Sequence, residues 1–141
     1  MNSIFNTEDQ RPMKPYIELK DLEVYQLSRN LSTLAWEVYS KLDYQQKKII
    51  GDQFIRSVDS VGANIAEGYA RYHYLDKARF YHFSRASLSE ALEHWSELML
   101  ERSIIHQSTF EQLKSIHRVL EVKLNNFITA TYKNAKNKKR K

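Results

Sequence analysis

The five histidines are the residues of this sequence best suited to metal binding or acid–base chemistry. A dimetal carboxylate bundle needs a glutamate three residues before a histidine on two helices. A zinc-protease helix needs two histidines four residues apart. Neither spacing occurs in this chain. We therefore predict no metal site, and surface or half-buried positions for His73, His82, His94, His106 and His117.

The other common signatures of catalysis are missing as well. Without cysteine, the sequence has no thiol nucleophile, zinc ribbon or iron–sulfur ligands. It has no glycine-rich dinucleotide motif, no phosphate-binding loop with its lysine and no Gly-x-Ser-x-Gly elbow. A bundle that holds haem through one histidine stays open, although no feature selects that histidine. The prediction is a protein without enzymatic activity and without a cofactor.

Positive charge is concentrated at the carboxyl end of the chain. The net charge is +5, from 22 basic and 17 acidic residues. Residues 133–141 contain no acid, and removing their basic residues leaves 16 basic against 17 acidic residues. Such a cluster is typical of an arm that contacts a polyanion, or of a solubilising tail. The nucleic-acid-binding candidates in this segment are Lys133, Lys136, Lys138, Lys139, Arg140 and Lys141.

A second group of basic candidates lies in the middle of the chain, next to aromatic residues. Tyr69, Tyr72 and Tyr74 alternate with basic residues. Aromatic and basic side chains arranged in this way can stack on and bind single-stranded nucleic acid. The same tyrosines could instead cover the end of a bundle or fill a subunit interface. The basic candidates of this region are Arg71, Lys77, Arg79 and Arg85.

A polar stripe runs beside the apolar stripe of the second periodic segment. Small and charged residues recur there at steps of three and four, and the third segment carries similar residues. If the two stripes face each other inside a bundle, their groups must form hydrogen bonds. We predict a largely buried structural network that fixes helix register, with a ligand contact as the alternative. Its members are Asn64, Glu67, Arg71, Ser87 and Glu90.

Helices must position all of these residues. Three glycines and two prolines in 141 residues are too few to form the turns of a β-sandwich or of repeated βαβ units. Apolar residues instead recur at helical spacing in four segments, at about 21–42, 44–72, 75–102 and 109–132. Short connections favour antiparallel neighbours. The predicted fold is an all-α, up-down-up-down four-helix bundle, with a core that contains Leu31, Val38, Phe54, Val61, Ile65, Leu88, Trp95, Leu98, Leu120 and Leu124.

The bundle is expected to be flanked by two irregular segments. Residues 1–20 hold both prolines and no helical stripe, so they read as an irregular leader. Residues 21–132 form the bundle, and residues 133–141 are expected to be disordered without a partner because they lack apolar periodicity. The glycines all fall in the second segment, which predicts close helix approach or a break after Gly68. No signal peptide or membrane-spanning stretch is visible, so a cytoplasmic location is expected.

Two motifs make the sequence resemble a known family. Residues 64–68 read Asn-Ile-Ala-Glu-Gly and are followed by Arg71. Residues 80–90 are similar to the pattern Phe-Leu-x-x-Ala-x-Gly-Ser-x-x-Glu, with Ser84 and Ala86 in place of the pattern's alanine and glycine. The start of the first helix, residues 22–26, is similar too. Over about residues 19–130 the chain resembles the bacterial ribosomal-RNA intervening-sequence (S23) family.

The resemblance implies an antiparallel four-helix bundle that assembles into a ring-shaped homopentamer. The branch of the family with a defined role is the accessory variability determinant of diversity-generating retroelements. That protein binds nucleic acid and partners a reverse transcriptase. Other members are encoded in insertions within ribosomal RNA genes.

Two classes of function therefore stay open. The first is a non-catalytic, oligomeric nucleic-acid-binding accessory factor that assists a reverse transcriptase or ribonucleoprotein. It binds RNA and, through the same phosphate contacts, DNA. The second is a structural adaptor that binds protein and no nucleic acid. Binding to structured RNA at two salt concentrations would separate them.

Overall fold

The computed structural model describes residues 17–139, which fold into four helices. A short 3-10 turn, Leu19–Asp21, precedes α1, Glu23–Ser40. Helix α2 is continuous through Tyr44–Gln46, a π-helical turn at Lys47–Gly51, and Asp52–Ala70. Helix α3 comprises Tyr74–Ser89, a second π-helical turn at Glu90–Trp95, and Ser96–Glu101. Helix α4 is Gln107–Lys139.

The four helices form the predicted up-down-up-down bundle. The connections between them are only three to five residues long, which leaves antiparallel packing as the economical arrangement. Helix α1 packs against α2 and α4, and α3 packs against the same two helices, so the bundle closes on itself. None of these helices is long and apolar enough to cross a membrane. Residues 1–16 of the predicted leader and residues 140–141 lie outside the described part of the chain.

The core confirms the sequence periodicity in three of the helices. Every predicted core residue of α1, α2 and α4 is buried, as is Leu88 of α3. Trp95 and Leu98 are half-buried at the edge of the core, so their prediction as core residues is wrong.

The π-helical turn in α3 explains this difference. The Ser96 N–H bonds to the carbonyl of Ala91, five residues back, so the turn contains one residue more than an α-helical turn. The extra residue rotates the remainder of α3 by one position. After the turn, Ser96 and Met99 are buried where regular spacing would bury Trp95 and Leu98.

The last helix is longer than the sequence predicted. Helix α4 continues through Lys139, whereas the expected disordered tail begins at residue 133. This segment contains neither glycine nor proline, and alanine and lysine are strong helix formers, so no residue ends the helix. The Lys138 ammonium also lies 5.7 Å from the ring centre of Tyr74, at the start of α3, which gives the end of α4 a partner in the bundle.

Gly68 allows α2 and α3 to approach closely just before α2 ends. A Cβ atom at this position would lie 2.7 Å from Cε1 of Tyr81, 2.9 Å from Cβ of Phe80 and 3.0 Å from the backbone oxygen of Lys77. The last two atoms can move only if the helix moves. The expected close approach and the expected break near Gly68 thus occur together, because α2 ends at Ala70.

We expect Gly68→Ala to destabilise the protein by about 1–3 kcal/mol, as overpacking does in other cores. The loss should outweigh the ~1 kcal/mol by which alanine favours a helix over glycine. Gly51→Ala is the matched control, because its added Cβ would meet side chains alone, the tip of Leu42 at 2.8 Å and the ring of Tyr39 at 3.2 and 3.3 Å, and side chains can shift without moving a helix. Urea unfolding followed by circular dichroism compares the two. An equal loss of stability in both variants would contradict the prediction.

Candidate nucleic-acid interface

The turn between α2 and α3 is fixed by backbone and lysine contacts. Helix α2 ends at Ala70, and Arg71 adopts an extended conformation while its N–H bonds to the carbonyl of Gly68. The Lys77 ammonium donates to the carbonyl of Tyr69 at 2.7 Å and lies 5.3 Å from the centre of its ring. Partial burial lowers the pKa of Lys77. Lys77 therefore caps α2, and its charge is committed to that contact.

The carboxyl end of α4 lies beside this turn. The Lys138 ammonium is 4.5 Å from the ring centre of Tyr72 and 5.7 Å from that of Tyr74. A groove of about 290 Å³ lies between the start of α3 and the end of α4, and Ala135 forms part of its lining. Tyr72 is 77% exposed, so the part of its ring that Lys138 leaves open is accessible to a ligand. The structure thus brings Tyr72 and Tyr74 of the predicted aromatic group close to part of the predicted basic tail.

The described lysines at the carboxyl end of α4 are accessible to solvent. Lys133, Lys136 and Lys138, which we call the basic end of α4, are all exposed. Within residues 17–139, no carboxylate forms an ion pair with any of the three. The side chains of Lys139, Arg140 and Lys141 lie outside what the structure describes.

Two of the basic candidates in the middle of the chain belong to a chain of ion pairs. A nitrogen of Arg71 lies 2.6 Å from Glu67, and its other terminal nitrogen lies 3.8 Å from Asp76. Arg79 pairs with the second oxygen of Asp76 at 3.0 Å. Both guanidinium groups also lie over the ring of Phe80. Their charges are therefore largely balanced within the protein.

Arg85 lies farther along α3 and contacts α4. It donates to the Asn125 side chain and to Nδ1 of His82, each at 3.1 Å. Nε2 of His82 is 2.9 Å from the Tyr132 hydroxyl. Burial, followed by the charge of Arg85, lowers the pKa of His82. The exposed Arg85 has no carboxylate partner among the described residues, so it stays a candidate for anion contact.

Only part of the predicted buried network between α2 and α3 forms in the structure. Asn64 donates to the carbonyl and hydroxyl of Ser60 at 2.9 Å, and Ser60 bonds to Ser87 across the helix interface at 3.0 Å. Glu67 is exposed, because the stripe turns toward solvent along α2.

Glu90 does not belong to this network. It is exposed and accepts a hydrogen bond from the Trp95 indole at 2.7 Å. The prediction of one network joining Asn64, Glu67, Arg71 and Glu90 is therefore wrong. Ser84, which lies on the polar stripe of the third segment, makes a buried hydrogen bond to the carbonyl of Val61 at 2.7 Å.

Sequence reasoning missed one cluster of ligand-type groups between α3 and α4. His117 is buried, contrary to the prediction, and the carboxylates of Glu93 and Glu121 lie beside it. The three could hold a metal ion, since their ligand atoms all lie within 4.8 Å of one another. The spacing of four residues between His117 and Glu121 is a signal in the sequence that could have indicated this pair. The pairing with Glu93, however, depends on the register between two helices.

Comparisons with known proteins agree with the fold and with the motifs. The 23S rRNA-intervening sequence protein family matches residues 20–126. A crystal structure of a protein of unknown function, from the S23 ribosomal protein family of Bacteroides thetaiotaomicron VPI-5482, has the same fold with a TM-score of 0.71. The two sequences are 22% identical, and the match covers 76% of this chain and 96% of the other. No curated protein matches the chain.

Proposed function

Because this chain belongs to the 23S rRNA-intervening sequence protein family, we propose that it is a non-catalytic, oligomeric nucleic-acid-binding accessory factor of the cytoplasm. The observation that carries the proposal is the basic end of α4 beside the exposed ring of Tyr72. Lysines neutralise phosphates, and an aromatic ring can stack on an unpaired base. The ligand that suits this combination is RNA with single-stranded segments, with DNA bound through the same phosphate contacts.

The distribution of charge favours this end of the bundle over the rest of the surface. Outside residues 133–141 the acidic residues slightly outnumber the basic ones. Arg71 and Arg79 share carboxylate partners, and Lys77 caps a helix. Among the predicted basic residues, free positive charge is therefore concentrated at the basic end of α4, with Arg85 as the remaining candidate on the bundle.

Oligomerisation would strengthen a contact that is weak in one chain. Several basic ends in one ring would bind one RNA together, and linked weak contacts gain affinity without new interactions. A cyclic ring needs a head-to-tail interface between two different patches of each subunit. Exposed apolar side chains such as Trp36, at 58% exposure, are suitable anchors for one patch. Assembly into a homopentamer is part of the proposal.

The partner that we propose is a reverse transcriptase or another ribonucleoprotein. Phosphate contacts carry no sequence information, so the partner or the RNA fold must supply specificity. The neighbouring genes distinguish the two settings. A reverse-transcriptase gene with paired template and variable repeats assigns the chain to a diversity-generating retroelement, whereas a position within a ribosomal RNA gene assigns it to the other branch.

A titration of the protein against a fluorescently labelled, structured RNA tests the proposal. We expect binding that weakens steeply between about 50 mM and 200 mM salt, with a slope of about −0.7 for each phosphate neutralised on a single strand. Sedimentation of the same sample should show a species several times heavier than the 16.8 kDa monomer.

Each measurement can fail separately. An assembled protein that binds neither RNA nor DNA at low salt would contradict the nucleic-acid part and leave a structural adaptor as the function. A monomer at micromolar concentration would contradict the ring. RNA binding that does not change with salt would contradict the role of the basic end of α4.

A further inference from the structure

Three ligand-type side chains from two helices converge at the π-helical turn of α3. His117 and Glu121 are one turn apart on α4, and Nε2 of His117 lies 3.0 Å from Oε2 of Glu121. Glu93 projects from the π-helical turn, with Oε1 3.9 Å from the same Nε2. We call Glu93, His117 and Glu121 the Glu–His cluster. π-helical turns within α-helices are frequent at functional sites.

The Nε2 atom of the histidine in this cluster is buried without a hydrogen bond. The His117 side chain is only 6% exposed, and its Nε2 atom forms no hydrogen bond of acceptable geometry, although Glu121 is close enough for an ion pair. A neutral ring nitrogen and two carboxylates can all donate electron pairs to one cation.

The nearby cations already have partners of their own. The Lys114 ammonium lies 3.3 Å from Glu97 and donates to the carbonyl of Leu92 at 2.7 Å. Arg118 lies 3.7 Å from Glu111. Neither therefore neutralises the two carboxylates of the Glu–His cluster.

We propose that the Glu–His cluster binds a divalent transition-metal ion of the zinc type, held by three protein ligands and completed by water. Zinc binds histidine nitrogen and carboxylate oxygen at about 2.0–2.2 Å, which separates tetrahedral ligands by roughly 3.3–3.6 Å. The two nitrogen–oxygen distances, 3.0 and 3.9 Å, lie on either side of that range. Magnesium and calcium prefer oxygen ligands alone, so the imidazole selects against them.

The surroundings suit an ion that enters from solvent. The side chains of Glu93 and Glu121 are 56% and 45% exposed, so they form the outer side of the site while His117 forms its inner side. A bound ion would connect α3 to α4 at the turn where α3 changes register. This inference rests on the contact between α3 and α4 and is independent of the proposed nucleic-acid binding.

Isothermal titration of the full-length protein with ZnCl2, after dialysis against EDTA, tests the proposal. We expect one Zn²⁺ per chain, and a melting temperature that rises with Zn²⁺ and not with Mg²⁺, because a ligand of the folded state stabilises it. Glu93→Gln and Glu121→Gln should each weaken Zn²⁺ binding by roughly tenfold or more, since even loss of a group that only orients a ligand has such an effect.

Glu101→Gln is the matched control, because it removes the same charge from an exposed residue about two turns farther along α3 and should leave the affinity unchanged. Co²⁺ provides a second readout, with visible absorption bands in the wild type that both cluster variants lose. Circular dichroism checks that each variant keeps its helices. Absence of Zn²⁺ binding, or equal binding by the wild type and both cluster variants, would overturn the proposal.

Discussion

Met99→Ala is expected to lower the free energy of unfolding by about 2–5 kcal/mol, the usual cost of removing a large side chain from a core. Met99 is fully buried and follows the π-helical turn of α3. Its neighbour Leu98 is only half-buried, so Leu98→Ala should cost about half as much or less. Both variants place alanine in the same helical turn, and the difference between them therefore reports burial. Urea unfolding at equal protein concentration measures both.

This comparison tests the register of α3 directly. An uninterrupted heptad pattern would bury Leu98 and leave Met99 at the surface. A larger loss for Leu98→Ala would therefore mean that α3 has no π-helical turn in solution, and the placement of Glu93 beside His117 would fail with it. A larger loss for Met99→Ala supports both.

The number of helices and their inner faces could be predicted because apolar spacing records which side of a helix is buried. In α1, α2 and α4 the spacing stays in phase to the end of the apolar stripe, and residues such as Leu31 and Leu124 are buried as expected. In α3 the sequence offers two acceptable stripes, one through Trp95 and Leu98 and one through Ser96 and Met99. Only the packed structure decides between them, because the apolar spacing of the sequence does not indicate the extra residue of the π-helical turn.

The candidate sites were harder to predict because they depend on rotation and register. Periodicity places Asn64 and Glu67 on one stripe, but it does not tell where that stripe leaves the interface with α3. Glu90 lies at the start of the π-helical turn, where it accepts a bond from Trp95 instead of joining the stripe. His117 meets Glu93 only because α3 and α4 pack in this one register.

The carboxyl end of α4 shows a different limit of prediction from sequence. Its composition correctly marks a concentration of positive charge, but composition does not determine conformation. The expectation of disorder rests on the missing apolar stripe, whereas a helix that is already formed needs only good helix formers to continue. Ordered lysines project from fixed positions on a helix. In the proposed complex with RNA, the helix would then determine which phosphates these lysines contact beside the ring of Tyr72.

Replacing the three lysines of the basic end of α4 with glutamine should remove most of the salt-dependent RNA affinity. If each lysine neutralises one phosphate of a single strand, the slope of log affinity against log salt should become shallower by about 2. Between about 50 mM and 200 mM salt, the wild type would then lose roughly twentyfold more affinity than the variant. In a ring the difference grows, because every subunit loses the same contacts.

The matched control removes the same number of charges from the opposite end of the bundle, with Lys41, Lys48 and Arg102 replaced by glutamine. These three residues are exposed and lie near the ends of α1 and α3 and the start of α2. Fluorescence anisotropy with labelled RNA compares both variants with the wild type, and circular dichroism verifies that α4 stays helical. Equal slopes for the two variants would show that total charge governs binding. A shallower slope in the α4 variant alone supports a contact at the basic end of α4, because only a localised contact depends on where the charges lie.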